Sequence, residues 1–215
     1  MTINRQYRLP AGEFFEERAP KDLLVLHHTV SGSFKSVWDY WNSDRNKDGS
    51  RRRVAVAFVV DKDGMVYELF DPACWAHHIG SPLQGNLLAD KRSIGIEIVS
   101  EGGLVEHDGG LWWMDGKIHY KSTTQSAYRL DAPWRGYRIF DAYEEAQIAT
   151  LEELVPDICQ GFGIPKKLLP AADRTNYRPD CLANFNGILA HCNLRPDKSD
   201  VHPGFPWERL GRALL

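Results

Sequence analysis

The chain has 215 residues, 43% of them hydrophobic, and a formal net charge of −3. That is enough apolar material for a substantial core in one domain. The slight acidity, with Arg51, Arg52 and Arg53 as an isolated basic cluster, excludes the basic footprint of a nucleic-acid-binding protein.

No stretch approaches the roughly 18 apolar residues that cross a bilayer, and the first ten residues lack the apolar core of a signal peptide. Cys74, Cys159, Cys181 and Cys192 show no CxxC spacing. The expectation is a monomer made in the cytoplasm without a signal peptide or membrane insertion, with reduced thiols packed as small hydrophobes.

In chain order, the run LLVLHHTV at 23–30 reads as a buried strand that delivers His27 and His28 to its C-terminal end. Ser33 can cap a helix whose apolar positions Phe34, Val37, Trp38 and Trp41 share one face. Positions 54–60 are β-rich, 61–64 form a turn, and 65–70 are the hairpin partner; SIGIEIV at 93–99 reads as an interior strand.

Positions 101–140 hold two glycine pairs, several aromatics and short strand-like runs with thin apolar content. They read as an inserted hairpin and loop within a single domain spanning 1–215. Asp141 and Glu144 have capping-box spacing ahead of a helix marked by Ile148, Leu151, Val155, Ile158 and Phe162, which Pro156 should kink or split. GILAH at 187–191 is a short strand ending in another histidine, and a last helix starts at Pro206 with Trp207, Leu210 and Leu214 inward.

Two strands far apart in sequence thus end in histidine, and the second is followed by KSDVHPGFPW at 198–207. A catalytic zinc site takes about three protein ligands and keeps one position open, so two histidines with a carboxylate or a third histidine would suffice.

At this point the chain resembles the zinc-dependent N-acetylmuramoyl-L-alanine amidases, the superfamily of phage lysins, cytoplasmic muropeptide amidases and peptidoglycan recognition proteins. The matching segments are His27-His28-Thr29, the hairpin at 57–64, Trp75 to Gly80, Ser93 to Glu97, 143–147, and His191 with 198–207. They occur in the family's order and cover the chain from about residue 20 onward, apart from the insertion.

The resemblance implies an α/β fold with a central mixed sheet of five or six strands flanked by helices. It implies a Zn2+ ion held by His27, His191 and a third ligand. Asp200 keeps the family's spacing to a lysine, whereas His202 precedes Pro203-Gly204; Asp200 is favoured and His202 is the alternative. Glu97 matches the family's general base, and Lys198 the cation that stabilises the oxyanion. His78 resembles a groove residue that contacts substrate.

The implied reaction is hydrolysis of the amide between N-acetylmuramic acid and L-alanine in peptidoglycan or muropeptides. Such an enzyme acts on the wall if released or secreted, or in the cytoplasm if it recycles muropeptides. The competing reading is a non-catalytic peptidoglycan recognition module, which the retained ligand set disfavours. Trp112, Trp113 and Trp134 either pack the insertion, as the composition favours, or line a saccharide platform.

Overall fold

In the computed structural model, which describes residues 1–115 and 118–215, the apolar run at 23–28 forms strand β2 (Leu23–His28), buried along its whole length. Side chains alternate between sheet faces along a strand. Leu24 and Leu26 accordingly join one hydrophobic cluster, Leu23 and Val25 another. A strand covered on both faces belongs in the middle of a largely parallel sheet, and β2 lies there.

The sheet runs β1-β4-β3-β5-β2-β11, comprising β1 (Ile3–Asn4), β3 (Phe58–Val60), β4 (Val66–Glu68), β5 (Ser93–Ile98) and β11 (Gly187–Ala190). β5 and β11 flank β2 in parallel register, and the β3/β4 hairpin is antiparallel.

Helices α1 (Phe34–Ser43), α3 (Glu145–Phe162) and α6 (Trp207–Ala213) contribute to the larger cluster, while α2 (Asn86–Arg92) and the single-turn α4 (Cys181–Asn184) contribute to the smaller. A further turn, α5 (His191–Leu194), follows β11 directly. Ser33 caps α1 through a bond from the Ser36 amide at 3.3 Å, as its sequence predicts. Pro206 precedes α6, with Trp207, Leu210 and Leu214 buried. The four cysteines are free and buried.

Several expectations need correction. Only Phe58–Val60 of the β-rich run is a strand; Val54 instead bridges to His77. α3 starts three residues later than expected, with Glu144 and Gln147 as its capping box, because Asp141 is engaged elsewhere. Buried Asp141 accepts from Lys62 Nζ (2.9 Å), the Glu101 amide (2.7 Å) and Thr124 Oγ1. Pro156 does not split α3. It removes one helix hydrogen bond, and burial of Leu151, Leu154, Val155 and Ile158 around it outweighs that loss.

The insertion is more than a hairpin and a loop. It is a five-stranded antiparallel sheet in the order β8-β7-β6-β10-β9, made of β6 (Gly103–His107), β7 (Gly110–Asp115), β8 (Ile118–Lys121), β9 (Ala127–Trp134) and β10 (Tyr137–Asp141). Residues 116 and 117 lie outside the described residues. Two-residue turns at Asp108-Gly109 and Arg135-Gly136, all with positive φ, match the strands' right-handed twist. The insertion's two ends meet where the Asp141 amide donates to the Gly102 carbonyl at 2.9 Å.

Candidate active site

The alternation that buries β2 also separates its two histidines. His27 follows Leu23 and Val25 onto one face, and His28 follows Leu24 and Leu26 onto the other. His27 meets His191, the first residue of α5, and Asp200. The segment carrying Asp200 is held there by the Cys192 amide, which donates to the Asp200 carbonyl at 2.6 Å. Asn193 fixes the turn, accepting from the Ala190 amide and donating to the carbonyls of Asp173, Arg174 and Asn176.

Three atoms converge: His27 Nδ1 and His191 Nδ1 are 3.0 Å apart, and Asp200 Oδ2 lies 3.3 Å and 2.9 Å from them. Their outward partners assign the protons. His191 Nε2 faces the Ile79 carbonyl at 2.7 Å, which can only accept, so Nε2 carries the hydrogen and Nδ1 is bare.

His27 is reached through a longer chain. Ser93 Oγ donates to the Ala89 carbonyl (2.6 Å) and so accepts from His78 Nε2 (2.7 Å); His78 Nδ1 is then bare and accepts from His27 Nε2 (2.9 Å). His27 Nδ1 therefore also presents a lone pair to the centre. Burial, reinforced by the neighbouring imidazoles, keeps His27 and His78 neutral, lowering His27 to about 4 and His78 to about 3.

Asp200 completes the set as a carboxylate. Burial pushes its pKa up, while positive charge or a donated N–H from the facing imidazoles holds it well below the usual range, a part that a cation takes when both Nδ1 atoms are bare.

Three acceptors thus face one another with exposures of 2% for His27, 5% for His191 and 6% for Asp200, too little for water to separate them. A cation resolves that arrangement. Ligands at zinc bond lengths in a tetrahedral site stand about 3.3 Å apart, close to the separations seen, so this group could hold a metal ion.

His202 does not join it. Its Nε2 donates to the Asp141 carbonyl (3.1 Å), its Nδ1 accepts from the Gly204 amide (3.1 Å), and its ring stacks on Tyr143 with centroids 4.5 Å apart. His28 lies on that same side, with its Nδ1 at 3.1 Å from the Tyr143 hydroxyl. His78, expected at the substrate groove, lines the cavity but has both ring nitrogens committed behind His27.

Glu97 pairs in register with His27 across β2 and β5, so both side chains occupy one face. Its Oε2 has no hydrogen-bond partner among the described residues. Burial, with the charge of Asp200 added, raises its carboxyl well above the usual range, and Lys198 pulls it partly back. Lys198 and Glu97 line the same cavity of about 340 Å³ as the three convergent residues.

Supporting residues escaped the sequence reading. Buried Asp90 accepts from the amides of His78 (3.2 Å) and Ile79 (3.0 Å), fixing the loop that supports both imidazoles. Gly95 leaves room on β5: a Cβ there would stand 2.6 Å from Val56 and 3.2 Å from His78 Nδ1. A glycine inside an isoleucine-rich strand is the available signal of such close approach.

No curated protein matches the chain in sequence. Among solved structures it is similar to the N-acetylmuramyl-L-alanine amidase AmiD from E. coli, solved with anhydro-N-acetylmuramic acid-L-Ala-D-gamma-Glu-L-Lys (TM-score 0.54, 20% identity, 92% of this chain covered). The chain spans 59% of that protein's length.

It is also similar to a mutant endolysin from Bacillus subtilis (TM-score 0.56, 14% identity, covering 100% of this chain and 99% of that one). A third similar structure is the endolysin amidase LysCS from Clostridium intestinale (TM-score 0.52, 16% identity, 99% and 95% covered). These likenesses establish the fold. The sequence model of the N-acetylmuramoyl-L-alanine amidase family matches residues 17–204, nearly the whole chain, and with the fold shared, the chain belongs to that family and is an amidase.

Proposed function

We propose that the chain is a zinc-dependent amidase that hydrolyses the bond between the lactyl carbonyl of N-acetylmuramic acid and L-alanine in peptidoglycan or muropeptides. The observation that carries the zinc assignment is the convergence of three bare acceptors, His27 Nδ1, His191 Nδ1 and Asp200 Oδ2, in a buried site. Two imidazoles and one carboxylate suit zinc and leave a fourth position open. When bound there, zinc supplies Lewis-acid polarisation of the scissile carbonyl and lowers the pKa of water.

The remaining work falls to the protein. Glu97, with a free Oε2 and a raised carboxyl, takes the proton of the attacking water and returns it to the departing alanine nitrogen. Lys198 places a positive charge at the cavity wall, where the tetrahedral oxyanion develops. His78, Ser93 and the Ile79 carbonyl orient the metal-facing rings, a role that commonly strengthens metal affinity.

The test is metal content by mass spectrometry together with release of stem peptide from purified muropeptides, for wild type, His27→Ala and Glu97→Gln. Stoichiometric zinc with product cleaved at the lactyl amide is expected for wild type. A metal-free wild type, or a product cut at another amide, would sink the reading.

A further inference from the structure

The cavity at the three convergent residues continues past Glu97. Thr29, Val30, Trp41 and Glu97 line both that cavity and a larger one of about 730 Å³ between α1 and the inserted sheet. A ligand held at His27, His191 and Asp200 therefore has a continuous path along the insertion.

The two walls of this groove are chemically alike. From the α1 side come the exposed Tyr40 ring and Ser36; from the insertion come Trp113, Tyr120 and Thr123. Trp113 and Tyr120 are direct cross-strand partners on β7 and β8, with ring centroids 4.5 Å apart and planes inclined by 19°. Stacked in this way, the two rings hold each other in place as one aromatic block on the groove wall.

Behind Thr123 sits Glu101, only 1% exposed, which accepts from the Thr123 amide (2.9 Å), Thr123 Oγ1 (2.8 Å) and Ser122 Oγ. Gly32 allows this approach, since a Cβ there would lie 3.3 Å from Glu101 Oε1. The wall is thus fixed before any ligand arrives.

We propose that this groove is a glycan subsite, seating the saccharide unit next to the muramoyl residue whose lactyl amide is cleaved. Aromatic faces accept the apolar C–H faces of a pyranose, and hydroxyls and carboxylates accept its O–H and N–H groups. The hydroxyls of Ser36 and Thr123 stand beside the aromatic rings on the groove wall, a surface suited to a neutral sugar; the cation on this stretch of wall, Lys121, is exposed to solvent. The direction of the substrate in this assignment rests on the amidase reading above, whereas the chemistry of the groove does not.

The test compares two substrates on the full chain: N-acetylglucosaminyl-N-acetylmuramoyl peptide and N-acetylmuramoyl peptide carrying the same stem. Wild type should favour the disaccharide in kcat/KM by about tenfold, the scale of one aromatic contact. Trp113→Ala should bring that ratio close to one, and Trp113→Phe should restore most of it. In parallel, the peptide-free disaccharide should change tryptophan fluorescence saturably in wild type and not in Trp113→Ala.

Equal kcat/KM for the two substrates in wild type, or a preference that survives Trp113→Ala, overturns the subsite. So does a fluorescence response to the tripeptide L-Ala-γ-D-Glu-L-Lys in place of the disaccharide. Failure to hydrolyse either substrate counts against the amidase reading instead, and the fluorescence titration still reports on the groove.

Discussion

His27 and Glu97 are register partners on adjacent parallel strands and project from the same face of the sheet. Strand spacing alone, about 4.8 Å between neighbours, therefore places the candidate base beside a candidate metal ligand without help from any loop. Glu97→Gln keeps the shape and removes the charge. It should retain stoichiometric metal and wild-type stability while kcat falls by about 10²- to 10⁴-fold, read by stem-peptide release. Loss of metal in this variant would place Glu97 among the ligands instead.

His78→Ala removes the acceptor behind His27 Nε2. Supporting partners of metal-bound histidines commonly contribute about 10- to 100-fold in affinity. Competition against a chromophoric chelator should show weaker zinc binding of that order, with the folded far-ultraviolet spectrum unchanged. An unaltered affinity would leave His78 free to serve as a substrate contact.

Cys159, buried in α3, is pushed up to about 11 by burial, and Cys181 likewise to about 11. Between the ordinary thiol range near 9 and these values, the unfolded chain releases protons that the folded chain keeps. Stability therefore falls as pH rises from about 9 to 11, by up to about 1.4 kcal/mol per pH unit for each thiol. Denaturant titrations across that window should show a shallower decline for Cys159→Ala. Below pH 8 the folded protein should resist alkylation at both positions.

Gly64 turns the β3/β4 hairpin with φ +82°, and a Cβ on it would lie 2.8 Å from the Ala146 carbonyl oxygen of α3. Thr150 Oγ1 donates to the Gly64 carbonyl at 2.8 Å, so the turn cannot withdraw without losing a bond. Gly64→Ala should lower stability by about 1 to 3 kcal/mol. The denaturation midpoint should drop with an unchanged slope.

The central sheet was legible because its strands obey simple patterns. LLVLHH reads as a buried strand and SIGIEIV as an interior one; that they are parallel neighbours comes from the structure. Strict alternation already implied that His27 and His28 face opposite ways. What the local sequence could not express was partnership at a distance.

Asp141 has the look of a helix cap, yet its carboxylate is taken by Lys62, Glu101 and Thr124, and Glu144 caps instead. Asp200 and His202 are both plausible ligands in one dimension. The Cys192 bond to the Asp200 carbonyl and the stacking of His202 on Tyr143 set them on different sides. The inserted sheet was under-read because its strands carry few buried residues, though Asp108-Gly109 between GLVEH and GLWWM is a strong two-residue hairpin signal.

The bond between the Asp141 amide and the Gly102 carbonyl means that the chain leaves the catalytic sheet and returns to it at nearly one point. Nothing in β2, β5 or β11 has to shift for the thirty-odd residues between to be shortened, lengthened or exchanged. The inserted sheet still touches the candidate site at its far end, where Arg135 in the turn between β9 and β10 donates to the Cys192 carbonyl at 3.2 Å, next to His191. A change in the insertion can therefore reach the candidate metal ligands through that arginine, while the strands of the sheet stay in place.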